Sequence, residues 1–210
     1  MILKTTVPPK NLSEMRKELY VWFKKNGRHE LPWRKTKNPY QILVSEIMLQ
    51  QTQVERVKPH WKNWITKWPN IKALASAPRG EVIHAWSGLG YNRRSVNLHR
   101  TAQHIESQYN SKVPIDENIL RELPGIGPYT AAAISCFSAN KKTRPADTNI
   151  TRVIARAFLG LQNSYPDTKK MIQKQLAELD DWTVSSLDAR NQKLVEYACK
   201  VWPSGLPAEN

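Results

Sequence analysis

Cysteine is nearly absent: Cys136 and Cys199 are the only two among 210 residues. Two are too few for a disulfide framework or a thiolate cluster, so a reducing compartment inside the cell is expected. No apolar run approaches the roughly 20 residues that cross a bilayer. Residues 1–10 hold no apolar stretch of signal-peptide length. Acidic side chains are also short, with 18 Asp and Glu against 32 Lys and Arg, a formal charge of +14. That excess points to a polyanionic partner, nucleic acid before membrane; the plainer reading is a merely soluble basic protein. Strand patterns are missing too. No useful run alternates apolar and polar residues, and there is no internal repeat or low-complexity tract, so the expected fold class is all-α.

What is present fits a soluble globular chain of one large or two small domains, 40% hydrophobic and 24% charged. Residues 1–10 read as an extended lead. A helix is predicted over 13–26, with Met15, Leu19, Trp22 and Phe23 as its stripe and Asn26-Gly27 as its stop. Leu31-Pro32-Trp33-Arg34 reads as a rigid turn. A helix follows through the forties, another spans 53–68 with a break or kink expected at Pro59, and short ones lie near 70–77 and 79–86. Residues 87–91 form a turn before a cation-rich helix over 92–109. Asp116 is placed as N-cap of a short helix, and Pro128 as the first residue of one reaching about 139. Helices near 147–158, 166–180 and 186–201 complete the chain.

Four pieces carry chemistry. In 45–52, Ser-Glu-Ile-Met-Leu-Gln-Gln-Thr, one carboxylate interrupts an apolar run. On a helix Ile42, Leu43, Glu46, Leu49 and Gln50 would share a face. Burial there would favour a carboxyl that holds or delivers a proton, whereas rotation to the helix edge would leave Glu46 simply solvated. Gln50 and Gln51 are either surface amides or the groups that fill the gap left by an extruded base. The hairpin Leu123-Pro124-Gly125-Ile126-Gly127 is the most specific signal, because its glycines permit a sharp turn and close backbone approach. The helix start after it offers unpaired N–H groups suited to a DNA phosphate, unless the hairpin is only a connector. Asp147 is well placed as a helix N-cap. As a functional group it needs a second carboxylate, and Glu46 lies 101 residues away in sequence. The eight Trp, five of them from Trp33 to Trp86, are packing residues or stacking platforms for bases. The histidines show no metal-ligand spacing, and Cys136 reads as packed.

Together these stretches resemble the helix-hairpin-helix (HhH-GPD) DNA glycosylases, especially their adenine-removing, MutY-type branch. The matching pieces are Leu31-Pro32-Trp33-Arg34, residues 45–54, Trp86-Ser87-Gly88-Leu89-Gly90-Tyr91, Asn97-Leu98-His99, residues 123–130 and residues 147–156, so the resemblance covers about 12–201. It implies two helical lobes with DNA across a cleft. One is a six-helix barrel over 28–139 with the helix-hairpin-helix at about 116–139; the other is 1–27 joined with 140–210. It further implies Glu46 as general acid, Asp147 as stabiliser of an oxocarbenium-like sugar, and Tyr129 where lyase relatives carry lysine. Trp33, Arg34, Leu49 and Glu196 would form the base pocket, and Gln50 and Gln51 the wedge in the stack. Leu123, Gly125, Ile126, Gly127, Tyr129 and Thr130 would bind phosphate, with a monovalent cation at the hairpin.

The departures set further expectations. Most of the family holds an iron–sulfur cluster on four C-terminal cysteines; here Cys199 stands alone in that region and Trp202 falls where the first ligand belongs. No cluster and no other metal are expected. The domain with which longer relatives probe 8-oxoguanine is expected to be absent as well. Asn92 and Thr148 stand where an aromatic and a glycine are frequent. The implied function is a monofunctional glycosylase, a monomer acting on mismatched or damaged double-stranded DNA and not on membranes, located with the nucleoid in the cytoplasm if prokaryotic. It would remove adenine opposite guanine or 8-oxoguanine. A thymine or uracil glycosylase acting opposite guanine is the nearest rival, although Gln50-Gln51 favours adenine. A non-catalytic DNA-binding protein is the rival of another class, against which the intact Glu46 and Asp147 argue.

Overall fold

The computed structural model describes residues 21, 24–141, 143, 145 and 147. The chain divides into two compact units, 29–145 and 1–28 together with 146–210. The helices expected near 13–26 (apart from its last residues), 147–158, 166–180 and 186–201 lie outside the described residues, as do Glu196, Cys199 and Trp202.

Unit 29–145 is built from helices; no strand occurs among the described residues. A 3-10 turn, Pro32–Arg34, is followed by α1 (Pro39–Leu49), α2 (Val54–Lys67), α3 (Ile71–Ala75), α4 (Arg79–Ala85), α5 (Arg93–Tyr109), α6 (Glu117–Glu122) and α7 (Pro128–Ala139). None of these is long and apolar enough to cross a membrane. Local chemistry sets the helix starts. Asn38 accepts from the backbone N–H of Tyr40 and Gln41, with Pro39 in the first turn. Asp116 accepts from Asn118 and Ile119 at 2.9 and 3.2 Å, and Pro128 opens α7, as expected. The helix 53–68 differs from expectation, since α2 runs through Pro59. Pro59 and Glu55 both lie on the exposed side, where water can serve the carbonyl that proline leaves unpaired.

The centre of the unit is α1. Tyr40 and every residue from Ile42 to Met48 are buried, so the helix has no solvent face at all. The single apolar face expected for it is corrected accordingly: α2, α5, α7 and the 3-10 turn all pack on it. Glu46 is only 5% exposed, which removes the solvated-edge alternative. α7 approaches closely because Ala131, Ala132 and Ala133 are small, and every residue from Thr130 to Cys136 is buried. Burial pushes the Cys136 thiol up to about 11, which keeps it neutral and unreactive. The loop after α7 is tied back onto that helix by Thr143 Oγ1 donating to the Ala132 carbonyl at 2.7 Å.

The five tryptophans from Trp33 to Trp86 are core residues, none more than 7% exposed. Trp64 packs edge-on against Trp68 and Trp86 with centroids 4.6 and 5.5 Å apart, and Trp33 meets Trp61 at 6.0 Å. The stacking-platform reading therefore fails for all five. The Tyr40 hydroxyl donates to the Trp68 carbonyl at 2.7 Å, and burial raises its pKa well above the ordinary phenol range, so it serves as a permanent donor.

Candidate active site and hairpin

At the C-terminus of α1 the apolar helix gives way to four polar residues, Gln50 to Gln53. α1 ends at Leu49, so Gln50 is a cap with non-helical backbone (φ −58°, ψ 112°) and does not continue the helical face. Gln51 follows in the left-handed region at φ 52° and is exposed. A glutamine held there without glycine's freedom is a local strain that its surroundings must maintain. Leu49 is half-buried at the helix end. The Gln50 amide reaches Thr130 Oγ1 at 3.5 Å, linking this segment to the first turn of α7. Glu46 thus lies one helical turn before a loop whose tip projects into solvent.

The hairpin joins α6 to α7. Leu123 and Ile126 are buried, so their side chains anchor the bend in the core and only their backbone can face a ligand. Gly125 adopts φ 77°, and Gly127 caps α7 from an exposed position. Pro128 has no N–H, so the backbone N–H groups of Tyr129 and Thr130 are the first that the helix start carries. The Thr130 side chain is buried and faces Gln50, whereas Tyr129 is half-buried. α5 forms the bed of the hairpin: Thr101 Oγ1 donates to the Pro124 carbonyl at 2.9 Å, and Asn97 lies under Gly125.

Trp33 and Arg34 sit in the 3-10 turn packed on α1. The Trp33 indole N–H is buried and has no partner among the described residues, an unmade hydrogen bond of the kind that a ligand can complete. Asp147 is half-buried and belongs to the other compact unit. The structure therefore assembles Glu46, Gln50, Thr130 and the hairpin in one unit, while Asp147 and Glu196 fall outside it. Among the described residues, no group of three His, Cys, Asp or Glu side chains converges in a way that could hold a metal ion.

One residue escaped the sequence reading. Arg94, in the first turn of α5, sends Nη1 to the carbonyls of Ile47 and Met48 at 3.0 Å each, and to that of Gln50. Its Nη2 donates to Thr52 Oγ1 at 3.0 Å and to the carbonyls of Leu89 and Gly90 at 3.1 and 3.0 Å. The guanidinium also lies over the rings of Trp86 and Tyr91, at 5.2 and 5.6 Å. Burial lowers its pKa from the ordinary arginine value while Tyr91 acts the other way, and arginine stays charged regardless. In the sequence Arg94 was one cation among several on its helix; its partners are mostly carbonyls, which leave no trace in side-chain patterns.

An all-α unit in which a glycine-bent turn feeds the start of a helix, beside a carboxylate buried in its central helix, is a helix-hairpin-helix architecture. The chain belongs to the HhH-GPD superfamily of base excision DNA repair proteins, whose pattern matches residues 44–180. It is 41% identical over 183 residues to the adenine DNA glycosylase of Mycolicibacterium smegmatis, covering 87% of this chain and 62% of that protein. Identity to the Mycobacterium tuberculosis adenine DNA glycosylase is 44% over 153 residues, 72% of this chain and 49% of the relative. The Rattus norvegicus adenine DNA glycosylase is 37% identical over 171 residues, 74% of this chain and 33% of that one. The chain thus spans between one third and two thirds of the length of these relatives. Among solved structures, a thermostable thymine-DNA glycosylase superposes with TM-score 0.74 at 25% identity, covering 90% of this chain and 88% of that one. Endonuclease III in a non-covalent complex with DNA superposes with TM-score 0.76 at 21% identity, covering 96% and 94%.

Proposed function

We propose that the protein is a monofunctional DNA glycosylase that hydrolyses the N-glycosidic bond of a mispaired adenine extruded from duplex DNA. The observation that carries this reading is Glu46, buried on the central helix one turn before the exposed, left-handed Gln51. The relatives named adenine DNA glycosylase, 37–44% identical, support the choice of base. In the reaction the Glu46 carboxyl gives its proton to a ring nitrogen of adenine, and the electrons of the C1′–N bond pass to the departing base. The Asp147 carboxylate stabilises the cationic sugar. Water then adds at C1′ and its proton returns to Glu46, leaving free adenine and an abasic sugar. The pocket for the flipped base is Trp33, Arg34, Leu49 and Glu196, with Gln50 and Gln51 filling the gap in the stack. The hairpin and the N–H groups of Tyr129 and Thr130 hold the backbone, with a monovalent cation at the bend, and the chain acts as a monomer. Tyr129 offers no amine, so no Schiff base forms and strand cleavage is not part of the activity.

A second reading, removal of thymine or uracil opposite guanine, draws on the likeness to the thermostable thymine-DNA glycosylase, a chain of similar extent. Duplexes carrying A opposite G, A opposite 8-oxoguanine, T opposite G and U opposite G separate the two. Free adenine should appear from the first pair, with strand breaks only after alkali. Release from the T or U duplexes alone would replace the adenine reading with the second, and binding with no release from any would leave a non-catalytic DNA-binding protein.

The proposal includes no iron–sulfur cluster. Such a cluster needs thiolates; Trp202 stands where the resemblance places the first of them, and Cys136 is a neutral thiol buried in α7. Iron analysis of the purified protein should find no stoichiometric iron; a cluster absorbance with matching iron would overturn this.

A further inference from the structure

Arg94 belongs neither to the proton-transfer machinery nor to the hairpin, yet its guanidinium meets both ends of the loop that carries Gln51. Its two terminal nitrogens bear four hydrogens. These serve Ile47, Met48, Gln50, Thr52, Leu89 and Gly90, so some are shared between acceptors. Nε is buried and has no partner among the described residues. The carbonyls of Ile47 and Met48 lie in the last turn of α1, where a helix leaves acceptors unsatisfied and favours a positive charge. A planar fork can grip carbonyls on both sides of a bend in a way that a single ammonium cannot. Thr52 extends the grip, since its hydroxyl also donates to the Gln50 carbonyl at 3.2 Å. The effect is to tie the end of α1, the 50–52 bend and the 89–90 turn to the start of α5. Gln51 stands at the tip of that bend in a backbone conformation that glutamine does not favour.

We propose that Arg94 is a positioning residue that holds the 50–52 segment in its wedge-ready form and thereby acts in extrusion of the base, not in cleavage of the glycosidic bond. The inference rests on the wedge reading of Gln50 and Gln51. A guanidinium that merely stabilised the fold would slow every substrate alike. One that positions the wedge matters only where a base must be driven out of a stack.

The test compares wild type, Arg94→Lys and Gln51→Ala. Hydrogen exchange of the free protein, read on peptides covering 48–53, 88–92 and α7, reports the anchoring without reference to activity. Single-turnover base release is measured on adenine mispaired within a duplex and on adenine in an unpaired bulge, where stacking is already weakened. In Arg94→Lys, exchange should rise at 48–53 and 88–92 with α7 unchanged. Release from the mispair should fall roughly 10- to 100-fold, the scale of a small misplacement. Release from the bulge should change less than about threefold, because extrusion there costs least. Unchanged exchange at 48–53, or an equal fall on both substrates, would overturn the inference. If Gln51→Ala shows no selective loss on the mispair, the wedge reading fails, and the inference about extrusion fails with it. Should the wild type release nothing from either substrate, the catalytic reading and the extrusion role both fall.

Discussion

Replacing Glu46 by glutamine is expected to slow base release by at least about 1,000-fold, within the range assigned to a positioned general acid. Affinity for a mismatched duplex should stay within about threefold of wild type, because the substitution leaves the phosphate-binding groups untouched. Glutamine matches glutamate in volume and keeps a hydrogen-bonding end, so the packing of α1 against α2, α5 and α7 is preserved. What it lacks is a transferable proton. Glu46 is 5% exposed on a helix with no solvent face, so bulk water has poor access to the same atoms. Single-turnover kinetics with A opposite G give the rate, and fluorescence anisotropy with the same duplex gives the affinity. A variant that turns over within tenfold of wild type would remove Glu46 from the reaction. One that fails to bind would show that the carboxylate supports the DNA surface and not the chemistry.

Much of this site was visible in the sequence because its signals are local. A carboxylate inside Ile-Leu-Val-Ser-Glu-Ile-Met-Leu is conspicuous whatever the fold does with it, and the structure buries it. The Asp116 cap, the Pro128 helix start and the glycine hairpin depend on neighbours a few residues away, and they stand where the sequence puts them. Properties set by packing were less legible. Periodicity assigned one buried face to α1, but a helix surrounded by others needs no polar side, and its short apolar run carries no clear period. The same helix ends at Leu49, so Gln50 leaves the face on which spacing placed it. The five clustered tryptophans fitted a core or a stacking surface equally well until burial decided the matter. Arg94 was least legible of all, since five of its six acceptors are carbonyls on other segments of the chain.

The hairpin provides the other large effect. Gly125→Ala should destabilise unit 29–145 by about 2–4 kcal/mol, from backbone strain together with overpacking. At φ 77° an alanine pays the left-handed penalty. Its Cβ would also lie 2.9 Å from both Cβ and Nδ2 of Asn97, closer than such atoms come. The bend cannot simply back away, because Thr101, one turn after Asn97 on the same face of α5, holds the Pro124 carbonyl at 2.9 Å. A fall in Tm of roughly 5–15 °C is expected for a loss of this size. Gly127→Ala is the informative partner. Its φ is −86°, and nothing lies within 4 Å of the added Cβ, so Tm should hold within about 2 °C. Yet that methyl would stand at the exposed start of α7, beside the N–H groups of Tyr129 and Thr130 where a phosphate would dock. DNA affinity of Gly127→Ala should therefore drop about tenfold while stability holds, a loss on the scale of one charge-assisted hydrogen bond. Thermal melting with anisotropy on an undamaged duplex separates the two variants. Gly125→Ala melting like wild type would contradict the packing around Asn97. Gly127→Ala binding DNA like wild type would place the phosphate contact somewhere other than this bend.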